Sequence, residues 1–192
     1  MLESYLCKSC RRNCPETERT KCLKNPSLNL GSGFMLLKDC INFDAFDISM
    51  GDQRTDIIGC VEDITNIFKP GTFDSIFCAH VLEHFYPADG TKLIADCYTI
   101  LKQDGMLTME APDIEKIINN HMPEQIMATI QEIYGDPKHL CSYGPKWWHK
   151  WGWTGQITAD VMKKTGFHIR FIGDGISHNK TYRDFRVEGI KR

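Results

Sequence analysis

Short apolar runs alternate along the chain with longer segments in which apolar residues recur at helical spacing. The runs at 28–30, 41–43, 56–61, 73–79 and 105–110 are nearly continuous in apolar character. Strands buried on both faces of a parallel sheet have this pattern. Between 91 and 102, Leu93, Ile94, Cys97, Ile100 and Leu101 fall on one helical face, and Asp104 and Gly105 then mark a turn. Further helices are expected at 113–120, 123–134 and 156–165, the last stopped by Gly166. Late strands are expected at 168–172 and 183–190. The alternation predicts an α/β fold: a Rossmann-like, doubly wound, mostly parallel sheet in a three-layer sandwich. Only ten residues, 34–43, separate Gly33 from Asp44. A parallel crossover through a full helix needs more, so this connection is expected to be a loop or at most one helical turn.

Residues 1–27 are polar and basic, broken by Pro15 and Pro26, and show no sustained period. They are expected to form a Cys-rich N-terminal appendage to a main domain at 28–192. A chain of 192 residues suits one α/β domain with a full core. A net charge of −2 gives no field to draw nucleic acid or an anionic membrane, so neither is expected as a partner. No apolar stretch is long enough to span a bilayer. The opening MLESYLCKSC lacks the charged-then-apolar order of a signal peptide, so a cytoplasmic protein is expected.

The nine cysteines fall into two groups. Cys40, Cys60, Cys78, Cys97 and Cys141 sit beside apolar residues and are expected to be reduced core thiols. Cys7, Cys10, Cys14 and Cys22 crowd together. Cys7 and Cys10 have zinc-knuckle spacing, and the other two could complete four thiolates. An iron–sulfur site and free or redox-active thiols are the alternatives, so the metal is left open.

Three segments carry candidate chemistry. LNLGSGF at 28–34 runs a strand into Gly-x-Gly, which is either a structural tight turn or a loop that lets a ligand approach the backbone. The third glycine of the dinucleotide pattern is missing, which argues against a dehydrogenase. INFD at 41–44 ends a strand in a carboxylate, placed either as a turn residue or to accept both hydrogen bonds of a ribose diol. FDSIFCAHVLEHF at 73–85 carries a strand into an expected helical start, where His80, Glu83 and His84 share a face. One of these histidines either caps and packs or works in a crevice. Two histidines four apart also permit zinc, but HVLEH lacks the HExxH order of a metalloprotease. Trp147, Trp148, Trp151 and Trp153, near His139, Tyr143 and His149, could form a lid over a flat or sugar-like substrate or pack the last helix on the sheet.

LNLGSG, INFD, FDSIFCAHVLEHF and ILKQDGMLTMEAPD follow one another in the order and spacing of class I S-adenosylmethionine-dependent methyltransferases. The chain resembles that family from about residue 28 to residue 192. It is most similar to small methyltransferase-domain proteins with a short loop between the glycine motif and the acidic strand end. YGDPKHL, WGWT and MKKTGFHIRF fit the C-terminal part of that group. The resemblance implies S-adenosyl-L-methionine as cofactor. It implies a binding set of Asn29, Gly31, Ser32, Gly33, Asp44, Cys60, Val61, Glu62, Ala79 and His80. In that set Asp44 takes the ribose hydroxyls, and the segment from Cys60 to Glu62 lies along the adenine edge. The family usually has an acidic residue where this chain has Cys60, and a thiol is a poor acceptor for the adenine amino group. His80, His84 and His149 are the candidate catalytic bases, because imidazole titrates near working pH. A small-molecule or glycan acceptor is expected. The alternative is a non-catalytic Rossmann-like binding or scaffold protein that keeps the methyltransferase shell.

Overall fold

The computed structural model describes residues 26–138, 144–178 and 180–192. Cys7, Cys10, Cys14 and Cys22, and with them most of the expected appendage, lie outside the described residues, as do His139, Cys141 and Tyr143.

Strands β1 (Ser27–Leu30), β2 (Ile41–Asp44), β5 (Ile57–Ile58), β6 (Phe73–Ala79), β7 (Leu101–Pro112), β8 (Phe167–Asp174) and β9 (Asp184–Lys191) form one sheet in the order β5-β2-β1-β6-β7-β9-β8. The five strands from β5 to β7 are parallel. β9 runs antiparallel between β7 and β8. A small ribbon of β3 (Ser49–Met50) and β4 (Gln53–Arg54) stands apart. The mostly parallel α/β architecture expected from the sequence is present. The β1–β2 connection contains turns and bends and no helix, as its length requires.

The described α-helices include α1 (Ile64–Ile67), α2 (Pro87–Ile100), α3 (Ile114–Asn119), α4 (Ile126–Tyr134) and α5 (Gly155–Thr165). Helix α2 buries Gly90, Leu93, Ile94, Cys97 and Ile100, which recur every three or four residues and so form one stripe. It touches α1, α5 and β7, so these helices cover one face of the sheet. Helix α5 starts where Thr154 Oγ1 accepts the Ile157 N–H at 3.1 Å and stops where Gly166 turns left-handed at φ 117°. The core joins Leu28, Leu30, Phe43 and Ile76 of the sheet to Ile94, Ile100, Ala159 and Met162 of the helices.

Three local expectations change. The run at 56–61 yields only the two residues of β5, because the chain then winds into a short 3-10 helix at Val61–Asp63. The turn at Asp104 does not separate helix from strand. It bulges inside β7, which pairs with β6 at Phe73–Leu101 and again at Ser75–Met106, with Asp104 at φ 63°. Cys78 and Cys97 are core thiols, but Cys40 and Cys60 sit only partly buried at element ends. No helix among the described residues is long and apolar enough to cross a membrane.

Trp153 is the largest fully buried side chain, at 1% exposure. Its indole N–H donates to Phe85 O at 3.4 Å, and its ring fills the space that a Cβ on Gly90 would enter at 2.5 Å. Trp151, at 49% exposure, lies at the surface. Trp153→Ala is therefore expected to cost about 3–5 kcal/mol. Trp151→Ala should stay within about 0.5 kcal/mol of wild type. Urea unfolding midpoints of the two variants check both.

Candidate functional site

Parallel strands all end at one edge, and β1, β2, β5, β6 and β7 bring their C-terminal residues there. In open α/β sheets that edge is where the ligand crevice lies. Because β9 is antiparallel, its first residue, Asp184, arrives at the same edge from the other direction.

Beyond β1 the chain turns through Gly31 and Gly33 at φ 66° and 48°, a backbone region that favours glycine. The N–H groups of Gly31 and Ser32 both donate to Phe43 O, at 2.8 and 3.0 Å. The Gly33 N–H donates to Asp44 Oδ2 at 2.8 Å, while Asp44 Oδ1 accepts from the Phe46 N–H at 3.0 Å. The carboxylate at the end of β2 thus holds the glycine turn at the end of β1. A Cβ on Gly31 would lie 2.2 Å from Val81 Cγ2, so the turn is seated against the chain leaving β6. A Cβ on Gly33 would meet nothing within 4 Å, so its backbone is open on that side. Ser32 Oγ is buried beside it without a hydrogen-bond partner.

Asn29 does different work. Its buried amide donates to Met35 O at 2.7 Å and to Asn42 Oδ1 at 2.9 Å, bracing the loop between the strands. Cys60, Val61 and Glu62 follow Gly59, whose N–H donates to Asp44 O at 2.8 Å. That bond sets the segment beside the Asp44 backbone.

After β6 the expected α-helix does not form. His80 takes a left-handed φ of 54°, and only a three-residue 3-10 helix, Leu82–His84, follows. His80 and Glu83 nevertheless meet, with Nδ1 3.0 Å from Glu83 Oε1. His80 Nε2 lies 3.1 Å from Asp184 Oδ2. Burial opposes the charged imidazole, but the carboxylates of Asp184 and Glu83 outweigh it and push the His80 pKa up to about 9. Burial likewise opposes ionisation of Glu83, yet its bond to His80 holds that carboxyl down at about 2. Asp184 is also held below its ordinary value, against burial, by His80 and by Arg183, whose guanidinium donates to both its oxygens. Beside this clamp Glu110 is buried on β7. Its Oε1 accepts from Arg186 at 2.9 Å, and its Oε2 accepts the N–H groups of Ile176 and Ser177 at 3.2 and 2.9 Å.

His84 does not join His80. Its Nδ1 lies 3.1 Å from Trp148 O, and its ring stands 5.3 Å from that of His149. His149 Nδ1 lies 3.1 Å from Glu132 O. Burial lowers the His149 pKa from its ordinary value. Of the tryptophans, Trp153 belongs to the core, whereas Trp148 and Trp151 are exposed, with Trp148 adjoining His84 through its carbonyl.

Gly31, Gly33, Asp44, Ala79 and His80, which the family resemblance implies as site residues, lie at one edge, whereas the sequence reading missed Asp184, Arg183, Glu110 and Arg186. Asp184 is 104 positions from His80, and no local period links them. An acidic residue opening a late strand was the one available signal.

Two outcomes follow. Gly31→Ala combines a left-handed residue with a collision and should lose clearly more stability than Gly33→Ala, which carries only the left-handed cost of about 1–2 kcal/mol. Paired urea denaturations measure the difference. For His80 the folded pKa lies above the unfolded one, so its stabilisation is complete below the unfolded value and disappears as pH rises through about 9. The stability gap between wild type and His80→Gln should therefore narrow from about pH 6 to about pH 10. Unfolding midpoints across that range test the sign.

Comparison with other proteins shows which folds the chain resembles. Residues 31–109 match the family described as "Methyltransferase domain". None of the curated proteins matches the chain in sequence. A SAM-dependent methyltransferase from Archaeoglobus fulgidus superposes with a TM-score of 0.59 at 14% identity, covering 87% of this chain and 86% of that one. A chain of the complex between the Haloferax volcanii Trm112 methyltransferase activator and a methyltransferase gives 0.57 at 11% identity, covering 86% and 82%. The 1,6-didemethyltoxoflavin-N1-methyltransferase of Burkholderia thailandensis, solved with 1,6-didemethyltoxoflavin and S-adenosylhomocysteine, gives 0.56 at 11% identity, covering 91% and 74%. Residues 31–109 are therefore similar to the methyltransferase-domain family, and the chain shares the fold of the S-adenosylmethionine-dependent methyltransferases on which it superposes.

Proposed function

We propose that the protein binds S-adenosyl-L-methionine at the edge formed by β1, β2, β5 and β6 and transfers its methyl group to a small-molecule or glycan acceptor. The observation that carries the reading is the glycine turn pinned by Asp44, with its open side at Gly33. S-adenosylmethionine supplies a methyl group on a sulfonium centre, ready for in-line displacement. Asp44 has one backbone N–H on each oxygen and keeps a further lone pair on each for the two ribose hydroxyls. Gly33 leaves its backbone exposed to the methionine part, and the unpartnered Ser32 Oγ is a polar group within reach of it. Cys60, Val61 and Glu62 border the adenine, and the acidic Glu62 stands in the first turn where Cys60 offers only a thiol. Ala79 and His80 close the crevice towards the acceptor.

In this reading His80 is a positioning residue. Held charged between two carboxylates, it has no lone pair to accept a proton near neutrality. Catalysis then rests chiefly on holding donor and acceptor in line. The exposed Trp148 and Trp151 and the small net charge favour a flat or sugar-like acceptor over a polyanion. A cytoplasmic location belongs to the same reading.

Calorimetric titration with S-adenosylmethionine and S-adenosylhomocysteine tests the proposal, and no binding at millimolar cofactor would overturn it. Asp44→Ala is expected to weaken S-adenosylhomocysteine binding by about 1.5–3 kcal/mol, the value of hydrogen bonds to a charged group. An unchanged dissociation constant would place the ribose elsewhere.

A further inference from the structure

A second cluster shares Glu83 with the His80 clamp, and the methyltransferase reading makes no use of its two histidines. Glu83, His84 and His149 each offer one ligand atom, and these atoms lie within 4.8 Å of one another. Glu83 is 2% exposed. Its Oε1 bonds His80, but its Oε2 is buried with no hydrogen-bond partner. Leaving a buried carboxylate oxygen unpaired is costly, so a group that satisfies it is called for.

The histidines on either side cannot be that group as neutral rings. His84 Nδ1 faces Trp148 O, and His149 Nδ1 faces Glu132 O. A carbonyl accepts, so each Nδ1 carries the proton and each Nε2 is left with a lone pair. In those tautomers each histidine keeps one nitrogen able to bind a metal, and a cation shared with the Glu83 carboxylate would satisfy all three residues at once. Histidines whose second nitrogen is fixed by a carbonyl are also the usual form of a metal-bound imidazole, and His80 on Glu83 Oε1 orients the carboxylate in the same way.

We propose that Glu83, His84 and His149 form a site for a divalent transition-metal ion, with zinc as the best fit. Two imidazoles and one carboxylate suit zinc, and three protein ligands leave a fourth position open. An ion about 2 Å from each ligand holds them at most about 4 Å apart, so the site needs only a small closure. The supporting backbone is in place: the Lys150 N–H donates to Glu83 O at 2.7 Å, and the His149 N–H to Tyr134 O at 3.3 Å. The neighbouring group of His80, His178 and Asp184 is not equivalent, because both nitrogens of His80 are already engaged by carboxylates.

The test must separate this site from the N-terminal cysteines. The full chain carrying Cys7→Ser, Cys10→Ser, Cys14→Ser and Cys22→Ser is stripped with a chelator and titrated with Zn2+ and with Co2+. One equivalent should bind, and the cobalt form should show ligand-field bands without a thiolate charge-transfer band. His149→Ala on that background should weaken binding about 100-fold or more, beyond the loss of an outer-shell partner. It should leave the metal-free unfolding midpoint near that of its parent. If the quadruple variant does not fold, the wild-type chain and His149→Ala are compared directly, and the bound metal should fall by one equivalent. No stoichiometric binding, an unchanged affinity or stoichiometry in His149→Ala, or a thiolate band in the quadruple variant would each overturn the site.

Discussion

The imidazole of His80, held between the carboxylates of Glu83 and Asp184, joins three parts of the chain. It sits where β6 ends, Glu83 belongs to the following turn, and Asp184 opens β9. Two buried carboxylates at one place would repel, and each alone would resist ionisation. A charged imidazole between them offsets one of the two negative charges, and Arg183 offsets the other at Asp184. The left-handed backbone of His80 is a local cost that this arrangement sustains. Removing one partner of such a buried ionic group leaves an uncompensated charge, so each of these side chains depends on the others being present.

On the other side of the crevice the restraint is neutral in design. Backbone N–H groups, rather than a second charge, satisfy the Asp44 carboxylate. Asn29 and Asn42 brace the β1–β2 loop through their amides, where a crossover helix would have used apolar packing. The C-terminal edge of the sheet is therefore braced by hydrogen bonds at β1 and β2 and by ion pairs at β6 and β9. Val81 against Gly31 is the apolar contact between the two.

Much of this was legible in the sequence. β6 begins and ends where its apolar run does, and α5 stops at the glycine that marks it. The absence of a helix between β1 and β2 followed from chain length alone. What could not be read depends on distance or on competition. The two-residue β5 is shorter than its apolar run because Val61 and Glu62 are wound into a 3-10 turn. The expected helix after β6 gave way because His80 turns left-handed and its ring is claimed by Asp184, far away in sequence. Helical spacing correctly paired His80 with Glu83. It wrongly included His84, whose partners lie in the tryptophan-rich loop.

The place of β9 in the sheet bears on the order in which the molecule can assemble. The strands from β5 to β7 follow from the first part of the chain and already form a parallel block. β8 is made next but pairs only with β9, so it has no strand partner in this sheet until β9 arrives. β9 then inserts between β7 and β8 and delivers Asp184 to His80 in the same event. During synthesis, the glycine turn and its carboxylate can form well before the histidine clamp. A chain arrested before residue 184 would own the glycine turn with its carboxylate and lack the ion pairs that Asp184 makes with His80 and Arg183.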